Sequence, residues 1–188
     1  KTQPLWLSPF WNVNLMDTED KSLILAHLIN AKVQDRASQE VLTFVKINEQ
    51  GSFLDEKRSY AELWNNGHKV AHHLLDEKMK QGDSFAIIMQ NHPEFVDTMV
   101  GSSIIGTIFV PIDPRTKGKK LAFMLNHADC KGAVIGDYAI DNLNEIISEC
   151  PRLEWLWIVG NDNECSLRKK SFSEILKSDC SEIDIRVS

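Results

Sequence analysis

The apolar positions of the chain change period several times, and each change marks an element. Residues 22–35 carry Leu23, Ile24, His27, Leu28 and Ala31 at helical spacing, which predicts a helix. Val41 to Ile47 is a β-branched, apolar run and predicts a strand. Glu49-Gln50-Gly51-Ser52 supplies a turn, and Ser52 to Lys57 can return as the hairpin partner. Residues 60–79 give the clearest helix: Tyr60, Leu63, Trp64, Val70, Ala71, Leu74, Leu75 and Met79 form one continuous stripe. Ser59 with Glu62 three residues on spells a capping box, and Gly82 breaks the pattern.

From residue 84 short apolar strands alternate with amphipathic helices. Phe85 to Met89, Ile108 to Ile112, Ala133 to Ile135 and Trp155 to Val159 are the strands. Asn91 is the expected cap of the first intervening helix, with Pro93 in its first turn and Phe95, Val96, Met99, Val100, Ser103 and Ile104 as its buried face. Leu121, Ala122, Met124 and Leu125 mark a second helix, and residues 138–149, with Ile140, Leu143, Ile146 and Ile147, a third. Residues 160–171 read as an exposed loop, after which Ser171 and Glu174 cap a last short helix holding Phe172, Ile175 and Leu176. The pattern predicts an α/β fold: a doubly wound, mostly parallel sheet with helices on both faces and right-handed crossovers, preceded by a helix and a small β-hairpin.

Composition narrows the function. The chain has 188 residues, 43% of them apolar, enough for a real core. A formal net charge of -6 without a long basic stripe argues against nucleic acid as a partner. No window reaches the ~18 to 20 apolar residues that span a bilayer, and the start lacks the pattern of a signal peptide. Cys130, Cys150, Cys165 and Cys180 include no Cys-x-x-Cys pair, so neither a zinc site nor a disulfide framework is indicated, and a cytoplasmic setting is expected. The first sixteen residues hold Leu5, Trp6, Leu7, Phe10, Trp11, Val13, Leu15 and Met16, an arm that must dock on something or aggregate.

Doubly wound sheets bind ligands outside the carboxyl ends of their strands. Here those ends are Gln90-Asn91-His92, Asp113-Pro114-Arg115, Gly136-Asp137 and Gly160-Asn161. The first has no glycine to let the backbone touch a pyrophosphate, and the chain has no P-loop pattern. Asp113 and Asp137 follow strands as a phospho-accepting aspartate would, but turn-forming is the commoner role there. His68 and His72 stand one helical turn apart without the acidic residue of a metalloprotease motif, so with His73 they read as a solvated face. His92 heads a helix, where an imidazole either caps or acts as acid and base. Gly101 to Gly106 has small residues that permit close helix–sheet packing, and Ser102 and Ser103 have no evident His or Asp partner. Arg115, Lys117, Lys119, Lys120 and Lys131 form the one basic cluster, suited to an anionic ligand such as a nucleotide phosphate or simply solvated.

Three segments in order resemble the adenylate-forming superfamily of acyl-CoA synthetases, luciferases and peptide-synthetase adenylation domains. They are Arg58-Ser59-Tyr60-Ala61-Glu62-Leu63; Gln81-Gly82-Asp83 followed by a strand and Asn91-His92-Pro93-Glu94-Phe95; and Gly106-Thr107-Ile108-Phe109-Val110-Pro111-Ile112-Asp113-Pro114-Arg115 followed by a helix and Ala133-Val134-Ile135. The Pro-Glu-Phe and Pro-Ile-x-Pro-Arg segments look most like acid–CoA ligases. The resemblance implies an enzyme that adenylates a carboxylic acid with ATP and Mg2+, releases pyrophosphate, and passes the acyl group to a thiol, usually that of coenzyme A. In such enzymes the phosphate loop, the nucleotide-contacting segments, the acyl pocket and the adenylation lysine come after the segments present here. No catalytic residue and no metal ligand is therefore carried over, and the chain is expected to be inactive alone and to bind ATP, Mg2+ and coenzyme A weakly.

One position is carried over: Arg115 occupies the place of an arginine that in some CoA ligases lies near the nucleotide end of CoA. The chain departs from the pattern with Asp113 where Asn is usual and Lys119 where an acidic residue is usual. The expected organisation is an N-terminal arm (1–21), the first α/β subdomain of an adenylate-forming N-terminal domain (22–180), and the start of a linker to the remainder (181–188). A sheet cut short should leave apolar surface and cause self-association, as in a homo-oligomer. The rivals are a carrier-loading adenylation domain, a stand-alone flavodoxin-like binding or signalling module using Asp113, and a non-catalytic interaction domain.

Overall fold

A computed structural model describes residues 23–48, 50–161, 164–179 and 181–186. The apolar arm of residues 1–16 and Cys180 lie outside them. Helix α1 (Leu25–Arg36) leads into an antiparallel hairpin of β1 (Glu40–Ile47) and β2 (Phe53–Ser59). Then α2 (Tyr60–Asp76), β3 (Ser84–Ile88), α3 (Pro93–Ile105), β4 (Ile108–Pro111), α4 (Gly118–His127), β5 (Gly132–Gly136), α5 (Ile140–Asn144), β6 (Trp155–Val159), β7 (Arg168–Ser171) and α6 (Phe172–Lys177) follow. The five strands from β3 onward form one sheet in the order β4-β3-β5-β6-β7, and every pair is parallel.

The pleat sends alternate residues to opposite faces, and the core divides accordingly. Phe85, Ile87, Val134, Trp155 and Trp157 pack under α1, α2, α3 and α6. Ala86, Ile88, Ala133, Ile135, Leu156 and Ile158 pack under α4 and α5. Both faces are covered, as the alternation predicts, which is why the strands read as unbroken apolar runs.

The α2 capping box is formed: Glu62 N donates to Ser59 Oγ at 3.2 Å, and Ser59 N donates to Glu62 Oε2 at 2.7 Å. It is worth about 1 kcal/mol. The helix ends at Asp76, six residues before Gly82, because Lys78 takes the left-handed conformation (φ 64). Gly82 (φ 83) instead shapes the turn into β3, its N–H donating to Gly106 O at 2.8 Å. The cap of α3 is His92, not Asn91: a residue before proline is driven to extended backbone, and His92 (φ -124, ψ 150) precedes Pro93 with no side-chain cap.

Other elements differ from the sequence pattern. In α1 the buried residues are Ala26 and Ile29, while Leu23 and Leu28 are exposed. Residues 138–149 are not one helix but α5 with 3-10 turns at Asp137–Ala139 and Ile147–Glu149. The Asn142 and Asn144 amides there donate to Pro114 O and Glu164 O, tying this stretch to the loops on either side. Part of the expected 160–171 loop is β7, a polar edge strand recognisable only by its pairing with β6. Gly101 serves helix–helix rather than helix–sheet packing. A Cβ there would lie 2.5 Å from Val70 Cγ1 and 2.8 Å from Gly67 O, both on α2.

Candidate functional site

In this strand order the chain leaves β3 toward β4 and returns to the other side at β5, so the switch point lies between β3 and β5. Its floor is Gly136, Asp137 and Tyr138 beside Gln90, Asn91 and His92. The Tyr138 ring lies over Gly136, where any Cβ would collide with it. Tyr138 Oη accepts from Gln90 N at 2.6 Å and stands 3.2 Å from His92 Nε2, with the two rings stacked 5.9 Å apart. Asp137 accepts from Asn161 N and Nδ2 at 2.8 and 3.1 Å, tying the β5 and β6 ends together. Gly160 (φ 109) leaves room for that carboxylate.

Two grooves open from this floor and share Asn91. One, about 410 Å3, runs between β1 and the start of α3, along Thr43 to Lys46, His92, Phe95 and Val96. The other, about 460 Å3, is lined by Gln90, Asn91, Asp113, Pro114 and Arg115. These volumes lie within the range of small-molecule sites. Arg115 stands on the rim of the second with 87% of its side chain exposed. Its guanidinium folds back on Asp113, and its own N–H donates to Asp113 Oδ1 at 2.9 Å. Those hydrogen bonds hold the Asp113 carboxyl well below its ordinary range, at about 2.

The basic cluster divides. Arg115, Lys117, Lys119 and Lys120 lie at the carboxyl end of the sheet, before and within the first turn of α4. Lys131 lies at the opposite end, where it pairs with Asp83 at 2.6 Å and its N–H donates to Ser84 O. A strand separates the two positions, so one ligand cannot use all five cations.

The histidines of α2 are not a solvated face. His68 is 1% exposed and packs edge-on against Trp64 at 4.4 Å. His72 and His73 are half-buried, and all three face the chain after α6. Among the described residues no three His, Cys, Asp or Glu side chains gather as a metal site. Ser102 and Ser103 are structural. Ser102 Oγ donates to Thr107 O at 2.8 Å, and Ser103 Oγ accepts from Ala26 N at 3.0 Å, capping α1 from another helix.

Sequence reasoning missed a buried charge. Asp97 on α3 is 0% exposed, with Oδ2 3.5 Å from Arg58 Nε of β2, and Arg58 also binds Glu56 at 2.9 Å. Burial raises the Asp97 carboxyl to about 7 although Arg58 and Asn66 act to lower it. The pair locks the hairpin onto α3 and so sets one wall of the first groove. A single acid inside the apolar run of α3 was the available signal.

A parallel sheet in this order, with open grooves at the switch point and a cationic rim, defines a doubly wound α/β unit of the class that takes ligands at the carboxyl ends of its strands. A family description, AMP-binding enzyme, matches residues 31–181, and the chain belongs to that family. It is 28% identical over 94 residues to a 4-hydroxybutyrate–CoA ligase of Metallosphaera sedula, covering 50% of this chain and 17% of that protein. It is 24% identical over 115 residues to a medium/long-chain-fatty-acid–CoA/3-oxocholest-4-en-26-oate–CoA ligase of Mycobacterium marinum, covering 61% and 21%. The chain thus spans about a fifth of the length of these relatives. An anthranilate–CoA ligase solved with anthranoyl-AMP superposes with a TM-score of 0.75 at 15% identity, over 87% of this chain and 29% of that one. The adenylation domain of a carboxylate reductase from Mycobacterium chelonae gives 0.62 at 15% identity, over 85% and 29%. These superpositions bear out the doubly wound fold.

Proposed function

We propose that residues 22–180 are the first α/β subdomain of an adenylate-forming acid–CoA ligase, with residues 1–21 an arm before it and 181–188 leading onward. The parent reaction joins a carboxylic acid to ATP, giving acyl-AMP and pyrophosphate. The thiol of coenzyme A then displaces AMP to give a thioester. The family match over residues 31–181 carries this reading.

No magnesium ligand is assigned to this chain, whose described residues gather no cluster of three or more His, Cys, Asp or Glu side chains. What this chain supplies is a wall. The Asn91 grooves shape one side of a cleft, and the Arg115 rim offers a planar guanidinium to a phosphate of coenzyme A. Lys117 and Lys120 add positive charge on the same rim. No described helix is long and apolar enough to cross a membrane, and we read the setting as cytoplasmic.

The chain alone is inactive in this reading, with ATP affinity of about millimolar or weaker. Pyrophosphate exchange with a panel of carboxylic acids tests it: absence of exchange is expected, and robust exchange by the 188 residues refutes it. Titrating the chain with coenzyme A while following the Arg115 side-chain NMR signal tests the rim; no shift at millimolar ligand overturns that assignment. A second reading makes the acceptor a carrier-bound thiol. It is favoured by 30% identity over 73 residues to a linear gramicidin synthase of Brevibacillus parabrevis. Supplying the longer protein with coenzyme A or with a phosphopantetheinylated carrier separates the two.

A further inference from the structure

After α6 the chain turns back along α2 and is fastened there by three imidazoles of one helix. Ile183 N donates to His68 Nδ1 at 3.0 Å. His72 Nε2 lies 2.8 Å from Ser181 O, and His73 Nε2 lies 3.2 Å from Ser178 Oγ. Trp64 Nε1 donates to Glu182 Oε1 at 3.2 Å, Arg186 N donates to Ile104 O at 2.9 Å, and Ile183 and Ile185 pack against the larger core.

The partners dictate the protonation states. A backbone N–H can only donate, so His68 Nδ1 must carry a lone pair, and the ring is neutral. His73 Nδ1 lies 3.0 Å from the Lys170 ammonium, itself only a donor, so that ring is neutral too and Nε2–H donates to Ser178 Oγ. His72 differs: it donates to a carbonyl, which it can do in either charge state. Protonation therefore breaks one of the three fastenings outright, Ile183 N–H to His68 Nδ1, while His73 Nε2–H still donates to Ser178 Oγ and His72 to Ser181 O.

We propose that His68 forms an acid-released latch, holding residues 181–186 against α2 while its ring is neutral and freeing them when a proton reaches Nδ1.

Charged groups face both rings from the elements packed around them. The docked segment itself presents Glu182 to His68, which favours the charged ring, and His72 opposes it. Around His73, Lys170 of β7 and His72 oppose the charged ring, while Asp76 and Glu77 favour it. For both rings burial is the largest influence, and both pKa values fall below 6.5. The docked state thus binds fewer protons than the undocked one. Docking is strongest above about pH 6.5 and weakens as pH falls below it.

Amide hydrogen exchange on the full chain, corrected for intrinsic exchange rates, tests the latch. The Ile183 protection factor should drop by roughly fivefold or more between about pH 7.5 and about pH 5, the factor set by losing one hydrogen bond, while Val134 in β5 keeps its protection. His68→Asn places a non-titrating oxygen near the Nδ1 position, and it should flatten the response. Should that variant not dock, the wild-type His68 NMR titration serves instead, and its midpoint must coincide with the loss of Ile183 protection. Unchanged Ile183 protection, an equal drop in the docked His68→Asn variant, loss of Val134 in step, or midpoints that do not coincide each overturn the latch.

Discussion

The guanidinium of Arg115 closes on the carboxylate of Asp113, with Nη2 2.6 Å from Oδ2 and Nε 3.0 Å from Oδ1. An incoming phosphate must displace a carboxylate that stays ionised down to about pH 2. Asp113→Asn removes that competitor and leaves the turn's side-chain oxygen in place. We expect it to tighten coenzyme A binding by roughly three- to tenfold, in line with the loss of one charge-assisted partner. Arg115→Glu should abolish binding. Isothermal titration of the two variants checks the pair, and equal affinities in wild type and Asp113→Asn would remove Arg115 from the site.

Arg58 and Asp97 make a buried charge pair whose stability depends on pH in an unusual direction. The Asp97 carboxyl titrates near 7 in the folded chain and from 3.8 in its ordinary state. The folded state therefore holds the proton more tightly. The stabilising contribution of that proton is complete below about pH 3.8 and is lost as pH rises through about 7. Arg58→Met leaves the ionised acid without its counter-charge and should cost about 3 kcal/mol at pH 8. At pH 5, where Asp97 is protonated, the loss should be clearly smaller. Urea denaturation at the two pH values measures both, and an equal loss would contradict the assignment.

These two pairs show what the linear pattern carries and what it does not. The α2 stripe and the β3, β5 and β6 runs were readable because burial follows local periods of 3.6 and 2 residues. Arg115 stood out because it follows a strand end. Asp97 did not, because its partner lies 39 residues away on another element. His68 read as surface because its partner, Ile183, is 115 residues away. Tyr138 gained its place at the switch point only once β3 and β5 became neighbours. β7 carries no apolar run at all, so only its ladder to β6 identifies it.

Gly67 and Gly101 let α2 and α3 approach closely: a Cβ on Gly101 meets Val70 Cγ1 and Cβ at 2.5 and 2.6 Å. Alanine is the better helix former by about 1 kcal/mol, but overpacking costs about 1–3 kcal/mol. Gly101→Ala should therefore be destabilising overall, by about 1–2 kcal/mol. Adding Val70→Ala removes the Cγ1 contact yet leaves Val70 Cβ 2.6 Å and Gly67 O 2.8 Å away, so the double variant should recover only part of the loss. Thermal unfolding of the single and double variants checks this, and a stabilised Gly101→Ala would show that the helices separate freely.

Cys130 and Cys150 belong to the second core, between the sheet and the helices α4 and α5. Burial, followed by Asp129 and Cys150, pushes the Cys130 thiol up to about 12, and burial also raises that of Cys150. The thiolate is the reactive form. At pH 8 a thiol at that value is ionised to about one part in ten thousand. Cys130 should thus react with iodoacetamide at least about a hundredfold more slowly in the folded chain than in urea, and Cys150 should also be slowed. Peptide mapping by mass spectrometry assigns each modification. Because reagent must wait for α4 and α5 to lift from the sheet, the residual rate reports the free energy of opening that face. Substitutions on the other face, such as Gly101→Ala, should change that rate only in so far as they lower global stability. Rapid alkylation of Cys130 in the native chain would mean that α4 is not seated on the sheet.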